Sequence, residues 1–347
     1  MAVPFVQWFV ALLPVLVLLG LFVWLDTFKL MRVSEILRLL GLGAVAAGLC
    51  YPVAGRVIDA LPLGFSFYSR FVAPFIEEAI KGAAIVLLFR MNRIGFKVDA
   101  VIGSFAVGAG FSVVENILYL LRFPDLPVGV WLVRGLGTAL MHGATLAVFA
   151  AIAHELAEQE TRANADDFDF RWWWFLPGYV VAVALHLMFN QLPDRPLLAM
   201  LGTLALAPLL LMGILRFGTS EAEEWLVLER TAHAEALATL ERGDFPNDAR
   251  GQRLAALCQR SGPGAAERIL AYAQAKLALI VLAEETLAAQ TMRADLVRGD
   301  GEAAFKRVEE TKRALGRTLL AAVEPLLPLS RNDEWEIREL KERLRVR

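Results

Sequence analysis

Apolar residues gather over the first 217 positions into runs of about 20, the length an α-helix needs to cross a hydrocarbon core. Seven such runs predict helices over 5–25, 36–55, 67–90, 98–121, 129–154, 172–192 and 196–216. The first carries no charge, the second is rich in Gly and Ala, and the seventh is uniformly apolar. Four of the others are interrupted by polar residues. The third holds Glu77, Glu78 and Lys81, the fourth Glu115, the fifth Arg134 and His142, and the sixth His186 and Asn190. Beyond Phe217 the pattern changes to charged sequence with helical periodicity, predicting helices over 220–242, 247–260, 264–297, 302–326 and 332–345. The breaks are expected at 244–248, at Ser261-Gly262-Pro263-Gly264 and at Gly299-Asp300-Gly301. An apolar stripe of Leu270, Ala273, Leu277, Ile280 and Val281 in this part requires a packing partner. The fold class is therefore all-α: a polytopic membrane bundle of about seven transmembrane helices over 1–217, followed by a soluble helical domain over 218–347.

Composition supports this reading. The 347 residues are 57% hydrophobic, more than a soluble domain of this length carries. A net charge of -2 gives no basis for a nucleic-acid partner. Cys50 lies in an apolar run and Cys258 in the polar third, so no disulfide framework is expected. No basic residue precedes the first apolar run and no small-residue cleavage site follows it, so it reads as a retained helix rather than a signal peptide. Lys29, Arg32, Arg38, Arg90, Arg93, Lys97, Arg162 and Arg171 fall on one side of the predicted membrane, and Arg56, Arg70, Arg122 and Arg195 on the other. The positive-inside rule then expects an inner-membrane protein with its N-terminus outside and its C-terminal domain in the cytoplasm. Trp131 and Trp172-Trp173-Trp174 fit interfacial belts.

The intramembrane acids carry the chemistry. Each costs roughly 2.5–3.5 kcal/mol at mid-bilayer on insertion scales, so such residues are functional by default. Lys81 lies four residues after Glu77 and three after Glu78, so it can neutralise either one and leave the other for water or a metal. His186 and Asn190, four apart, share a helix face. Ala106, Gly108, Gly110 and Ser112 keep the helix around Glu115 thin enough for close approach by a neighbour. Arg134 either snorkels to the interface or holds a substrate carboxylate or carbonyl. His154 and His233 read as interfacial or solvated. His154-Glu155-Leu156-Ala157-Glu158 lacks the second histidine of a zinc-protease signature.

Glu77-Glu78-x-x-Lys81, Gly110-Phe111-x-x-x-Glu115-Asn116, a histidine in the next span, and His186-x-x-x-Asn190 occur in that order, each in its own apolar run. Together, over about 67–192, they resemble the PrsW family of intramembrane proteases, which is similar to the wider CAAX-protease and Abi/CPBP group. The resemblance implies hydrolysis of a peptide bond in a membrane-anchored protein, such as a regulator of the anti-sigma-factor kind, within or beside the lipid bilayer. The residues suit that reaction, which needs an activated water, an oxyanion donor and an acid for the leaving amine. Glu77 or Glu78 is the candidate base, His186 and Asn190 are candidate oxyanion donors, and His142 is a holder of water or metal. Glu77, Glu115, His142 and His186 are of the ligand types zinc takes. With no His-Glu-x-x-His signature present, the balance on sequence alone is slightly toward a metal-free glutamate mechanism. Two other classes fit part of the pattern. Buried Glu, His and Lys also build proton-coupled transporters, and the seven spans could tether the C-terminal domain as a receptor or scaffold with a protein partner of its own.

Overall fold

A computed structural model describes residues 5–25, 33–61, 64–95, 97–163, 170–192, 195–288, 294–327 and 329–345. Lys29 and Arg32, two of the orienting charges, lie outside the described residues. Among those described, every regular element is helical. The chain divides into two compact units, Met1–Ser220 and Glu221–Arg347.

The first unit contains α1 (Phe5–Leu25), α2 (Val33–Ala60), α3 (Gly64–Phe67), α4 (Ala73–Arg90), α5 (Lys97–Arg122), α6 (Val128–Leu132), α7 (Ala139–Ala163), α8 (Phe175–Asn190) and the start of α9 (Pro196–Glu241). Seven spans are expected from the sequence. By length and apolarity, four stretches qualify among the described residues: Val33–Ala60, Lys97–Arg122, Val128–Glu160 and Trp172–Asn190. Phe5–Leu21 is a shorter apolar stretch. The charges in α4 keep it out of this set, so hydrophobicity alone does not place it in a membrane.

The centre of the unit is α5, which is buried almost continuously from Val98 to Ser112 and packs chiefly against α7 and α2. Small residues permit this. A Cβ on Gly43 would lie 1.8 Å from Val107 O, and one on Gly110 would lie 1.9 Å from Leu40 O, so α2 and α5 meet backbone to backbone. The outer surface is apolar: Val17, Leu37, Val45, Leu49, Leu201 and Leu206 are all more than half exposed. The interior, in contrast, holds Glu78, Lys81, His142 and His186. Apolar outside and polar inside is the arrangement of a bundle whose solvent is lipid.

Two of the expected helices are not regular throughout. The run 67–90 contains a π-helical turn, Tyr68–Val72, between α3 and α4, and the run 129–154 contains another, Val133–Thr138, between α6 and α7. Pro74 explains the first: it has no N–H to continue the α ladder, and Ala73 N–H reaches back to Tyr68 O. In the second, Thr138 Oγ1 donates to Arg134 O at 2.5 Å and Gly135 lets the turn approach α1 at Val10 O. His154, expected near the interface, is buried, with Nε2 3.1 Å from Gly95 O.

In the second unit the end of α9 packs with α10 (Ala249–Ser261), α11 (Pro263–Ala288), α12 (Ala294–Leu315), α13 (Arg317–Val323) and α14 (Arg331–Arg345). Its core of Leu240, Leu254, Ile269, Tyr272, Leu277 and Val323 supplies the partner that the α11 stripe requires. Asp248 caps α10 by accepting from Gly251 N at 2.6 Å. Two expectations are corrected. Gly299-Asp300-Gly301 lies inside α12, where Gly301 faces Leu344 so closely that a Cβ would sit 2.9 Å from it; α11 ends at Ala288, ahead of residues 289–293, which lie outside the described ones, and α12 ends at Gly316, with φ 77. His233, expected in solvent, is 3% exposed.

Candidate functional site

The polar residues of the first unit converge. Glu77, Glu78 and Lys81 come from α4, Glu115 from α5, His142 and Thr145 from α7, His186 from α8 and Arg134 from the π turn before α7. Close packing of α5 on α7 depends on Gly108, where a Cβ would lie 2.3 Å from His142 O. That approach sets Glu115 and His142 side by side.

Lys81 chooses Glu78. Its Nζ lies 2.6 Å from Glu78 Oε1, with both side chains essentially dry. The same Oε1 accepts from His186 Nδ1 at 2.8 Å and from Thr145 Oγ1 at 3.3 Å. Because a carboxylate in an ion pair can only accept, His186 carries its proton on Nδ1, and Nε2 presents a lone pair. That lone pair faces Glu77 Oε2 at 3.9 Å.

On the other side, Lys81 Nζ lies 2.9 Å from His142 Nδ1 and His142 Nε2 lies 2.9 Å from Glu115 Oε2. An ammonium only donates, so this histidine is protonated on Nε2, the opposite tautomer. Glu115 Oε1 then meets Arg134 at 3.0 Å. Arg134 turns inward: its Nε donates to Asn116 Oδ1 at 3.2 Å, and its guanidinium lies 3.6 Å from the centre of the Tyr119 ring. Phe111 covers Lys81 and His142, each about 5.0 Å from its ring centre.

The result is an alternating chain: Arg134, Glu115, His142, Lys81, Glu78, His186, Glu77. Glu115 has Arg134 and Glu78 has Lys81. Among the described residues Glu77 has neither lysine nor arginine in ion-pair reach, and it is more exposed than Glu78. Glu77 is therefore the one carboxyl of the three without a lysine or arginine partner, and it stands opposite an imidazole lone pair. Two acceptors 3.9 Å apart call for a proton donor or a cation between them.

Asn190 is engaged elsewhere. Its Nδ2 donates to Ser69 O at 2.9 Å. In a π turn the donor for that carbonyl would be residue 74, and Pro74 has none. Asn190 thus supplies a hydrogen bond that Pro74 cannot, and ties the end of α8 to the turn leading into α4. Thr145 and Tyr119 escape the sequence reading. Both follow a polar site residue at helical spacing, Thr145 three after His142 and Tyr119 four after Glu115, which is the signal that could find them.

The cluster also suits a metal. One ligand atom each from Glu77, His142 and His186 lie within 4.8 Å of one another, and an N, N, O donor set is one that zinc takes. Glu78 behind His186 is the kind of carboxylate that orients a metal-bound imidazole. His142 would have to exchange its contact with Lys81 or with Glu115 to bind, since both its ring nitrogens are engaged.

No curated protein and no solved structure matches this chain. The model of one family, described as the PrsW family intramembrane metalloprotease, matches residues 33–214, more than half of the chain and the whole of the cluster just described. The chain belongs to the PrsW family of intramembrane proteases.

Proposed function

We propose that this protein is an endopeptidase that cleaves a membrane-anchored protein within or beside the bilayer, with water held between Glu77 and His186. The observation that carries the reading is the ion pair of Lys81 with Glu78, which leaves Glu77 as the uncompensated acid of the cluster. Glu77 accepts the proton from water as the oxygen attacks the peptide carbonyl, and returns it to the departing amine nitrogen. Glu78 holds His186 with Nε2 toward the site, Lys81 holds Glu78, and Glu115 with Arg134 orients His142. Phe111 keeps bulk water from Lys81 and His142.

Sequence alone leans slightly toward no metal. The family's description as metalloproteases and the convergence of three donors favour an ion instead. Glu77 through one carboxylate oxygen, His142 and His186 would hold it, and the second oxygen of Glu77 would remain to take the proton from water. A bound zinc-class ion supplies a water with pKa near 7 and polarises a carbonyl. Loop charge favours a cytoplasmic location for the second unit, where it is free to meet a protein partner. The family match gives no support to the transporter or scaffold readings.

The test compares membrane proteomes of cells carrying wild-type or Glu77→Gln protein at equal abundance. A shortened membrane protein present only with wild type is expected. Identical fragment patterns, repeated with His186→Ala, would remove the proposed site.

A further inference from the structure

A second cluster of metal-ligand types lies in the second unit, where no motif marks it. His233 near the end of α9, Glu284 on α11, and Asp333 and Glu336 on α14 are each at most 3% exposed. Ligand atoms of His233, Glu284 and Asp333 all lie within 4.8 Å of one another. His233 Nδ1 is 2.6 Å from Glu284 Oε1, and its Nε2 is 3.6 Å from Asp333 Oδ2.

Ordinary structural roles account for part of this. Asp333 Oδ2 accepts from Ser330 N, and Ser330 Oγ accepts from Asp333 N at 3.3 Å, a capping box at the start of α14. Glu284 Oε1 has the imidazole. What these roles leave is a set of dry oxygens. Glu284 Oε2, Asp333 Oδ1 and both oxygens of Glu336 have no hydrogen-bond partner among the described residues. Buried carboxylates in such a state are exceptional unless a proton or a cation answers them. A doubly protonated His233 would face one oxygen of Glu284 and one of Asp333, and would still leave those four. Burial pushes Asp333 up to about 6, against the pull of His233. Burial, with Asp333 and Glu284 adding repulsion, pushes Glu336 well above the usual carboxylate range. Glu284 thus lies close enough to Asp333 and Glu336 to act on both.

We infer that His233, Glu284 and Asp333, with the buried carboxyl of Glu336 beside them, form a structural site for a divalent transition-metal ion of the zinc class, separate from the membrane cluster. One imidazole with carboxylates is a donor set for zinc, manganese or iron rather than for a soft metal. The donors come from three helices, with His233 and Glu284 51 residues apart in sequence. Bound metal would close those long loops and clasp the last turns of α9 to α11 and α14.

The test uses the full chain in detergent, stripped of metal, in a Glu77→Gln/His186→Ala background that disables the membrane cluster. Cobalt(II) is the probe, with visible absorption, metal content and melting temperature as readouts. About one equivalent is expected to bind, with a ligand-field spectrum and a higher melting temperature. Adding His233→Ala should abolish that equivalent. Glu336→Gln, which keeps size and shape, should weaken binding by about tenfold or more. Circular dichroism of the metal-free proteins checks that each variant is folded. Absence of cobalt binding in the background protein overturns the inference. So does unchanged binding in a folded Glu284→Gln/Glu336→Gln variant, which remains decisive if His233→Ala fails to fold.

Discussion

Lys81→Met tests the claim that Lys81 belongs to Glu78. The two groups are 2.6 Å apart with side chains 0% and 1% exposed. At an effective dielectric constant of about 20, their attraction is roughly 6 kcal/mol. Removing Lys81 also removes the cost of burying it, so the net loss is smaller; breaking a buried pair by deleting one partner typically costs about 3–5 kcal/mol. Glu78→Gln should cost somewhat less, because the ammonium keeps His142 Nδ1 at 2.9 Å and the face of Phe111 at 5.0 Å. The double variant Lys81→Met/Glu78→Gln carries neither charge. It should be more stable than the sum of the single losses predicts by about 2–3 kcal/mol. The assay is unfolding of purified protein in mixed micelles by titration with sodium dodecyl sulfate, followed by circular dichroism. Losses that add within about 0.5 kcal/mol would show that the two residues do not form a pair, and the assignment of Glu77 as the free acid would fall with them.

Glu77→Gln should behave in the opposite way in metal-free protein, since it removes a carboxyl that no lysine or arginine among the described residues pairs with: stability in the same titration unchanged or higher, and cleavage by the metal-loaded protein reduced by about 100-fold or more. A stability loss comparable to that of Lys81→Met would count against it. Removal of metal by dialysis against a chelator should abolish cleavage, and zinc should restore it; full activity in protein shown by elemental analysis to hold no zinc would refute the metal site. Gly43→Ala places a Cβ 1.8 Å from Val107 O and should lower stability by about 1–3 kcal/mol, whereas Gly41→Ala, two residues away with nothing within 4 Å, should be neutral or slightly stabilising. Equal effects at both positions would deny the α2–α5 contact. Asn190→Ala leaves Ser69 O without its donor and should cost about 0.5–1.5 kcal/mol with only partial loss of cleavage. Complete inactivation of a stably folded Asn190→Ala protein would instead place its amide on the substrate.

Why one cluster is legible in the sequence and the other is not follows from the solvent each helix meets. Inside an apolar run a carboxylate is costly, so Glu77, Glu78, Glu115, His142 and His186 stand out against their neighbours in the chain. In α9, α11 and α14 charge is cheap on an exposed face, so His233, Glu284, Asp333 and Glu336 look like ordinary members of polar helices. Only tertiary packing shows that they are buried together. The same limit applies within the membrane cluster. Spacing allows Lys81 to meet either Glu77 or Glu78, because residues three and four away share a helix face. The choice is made by residues remote in sequence: His186 and Thr145 add donors to Glu78, and His142 draws Lys81 from the other side. Backbone irregularities are hidden for a related reason. Pro74 signals a break in the α ladder, but a π turn there is stable only with a donor for Ser69 O, and that donor arrives from Asn190, 121 residues away. Glycine is ambiguous in the same way. Gly301 permits contact between two helices while Gly316 ends one, and the distinction lies in whether Leu344 packs against the position or the backbone turns to positive φ. The type of residue shows that the chain does something unusual at these points. Which contact it makes is decided by the partners that the fold brings to it.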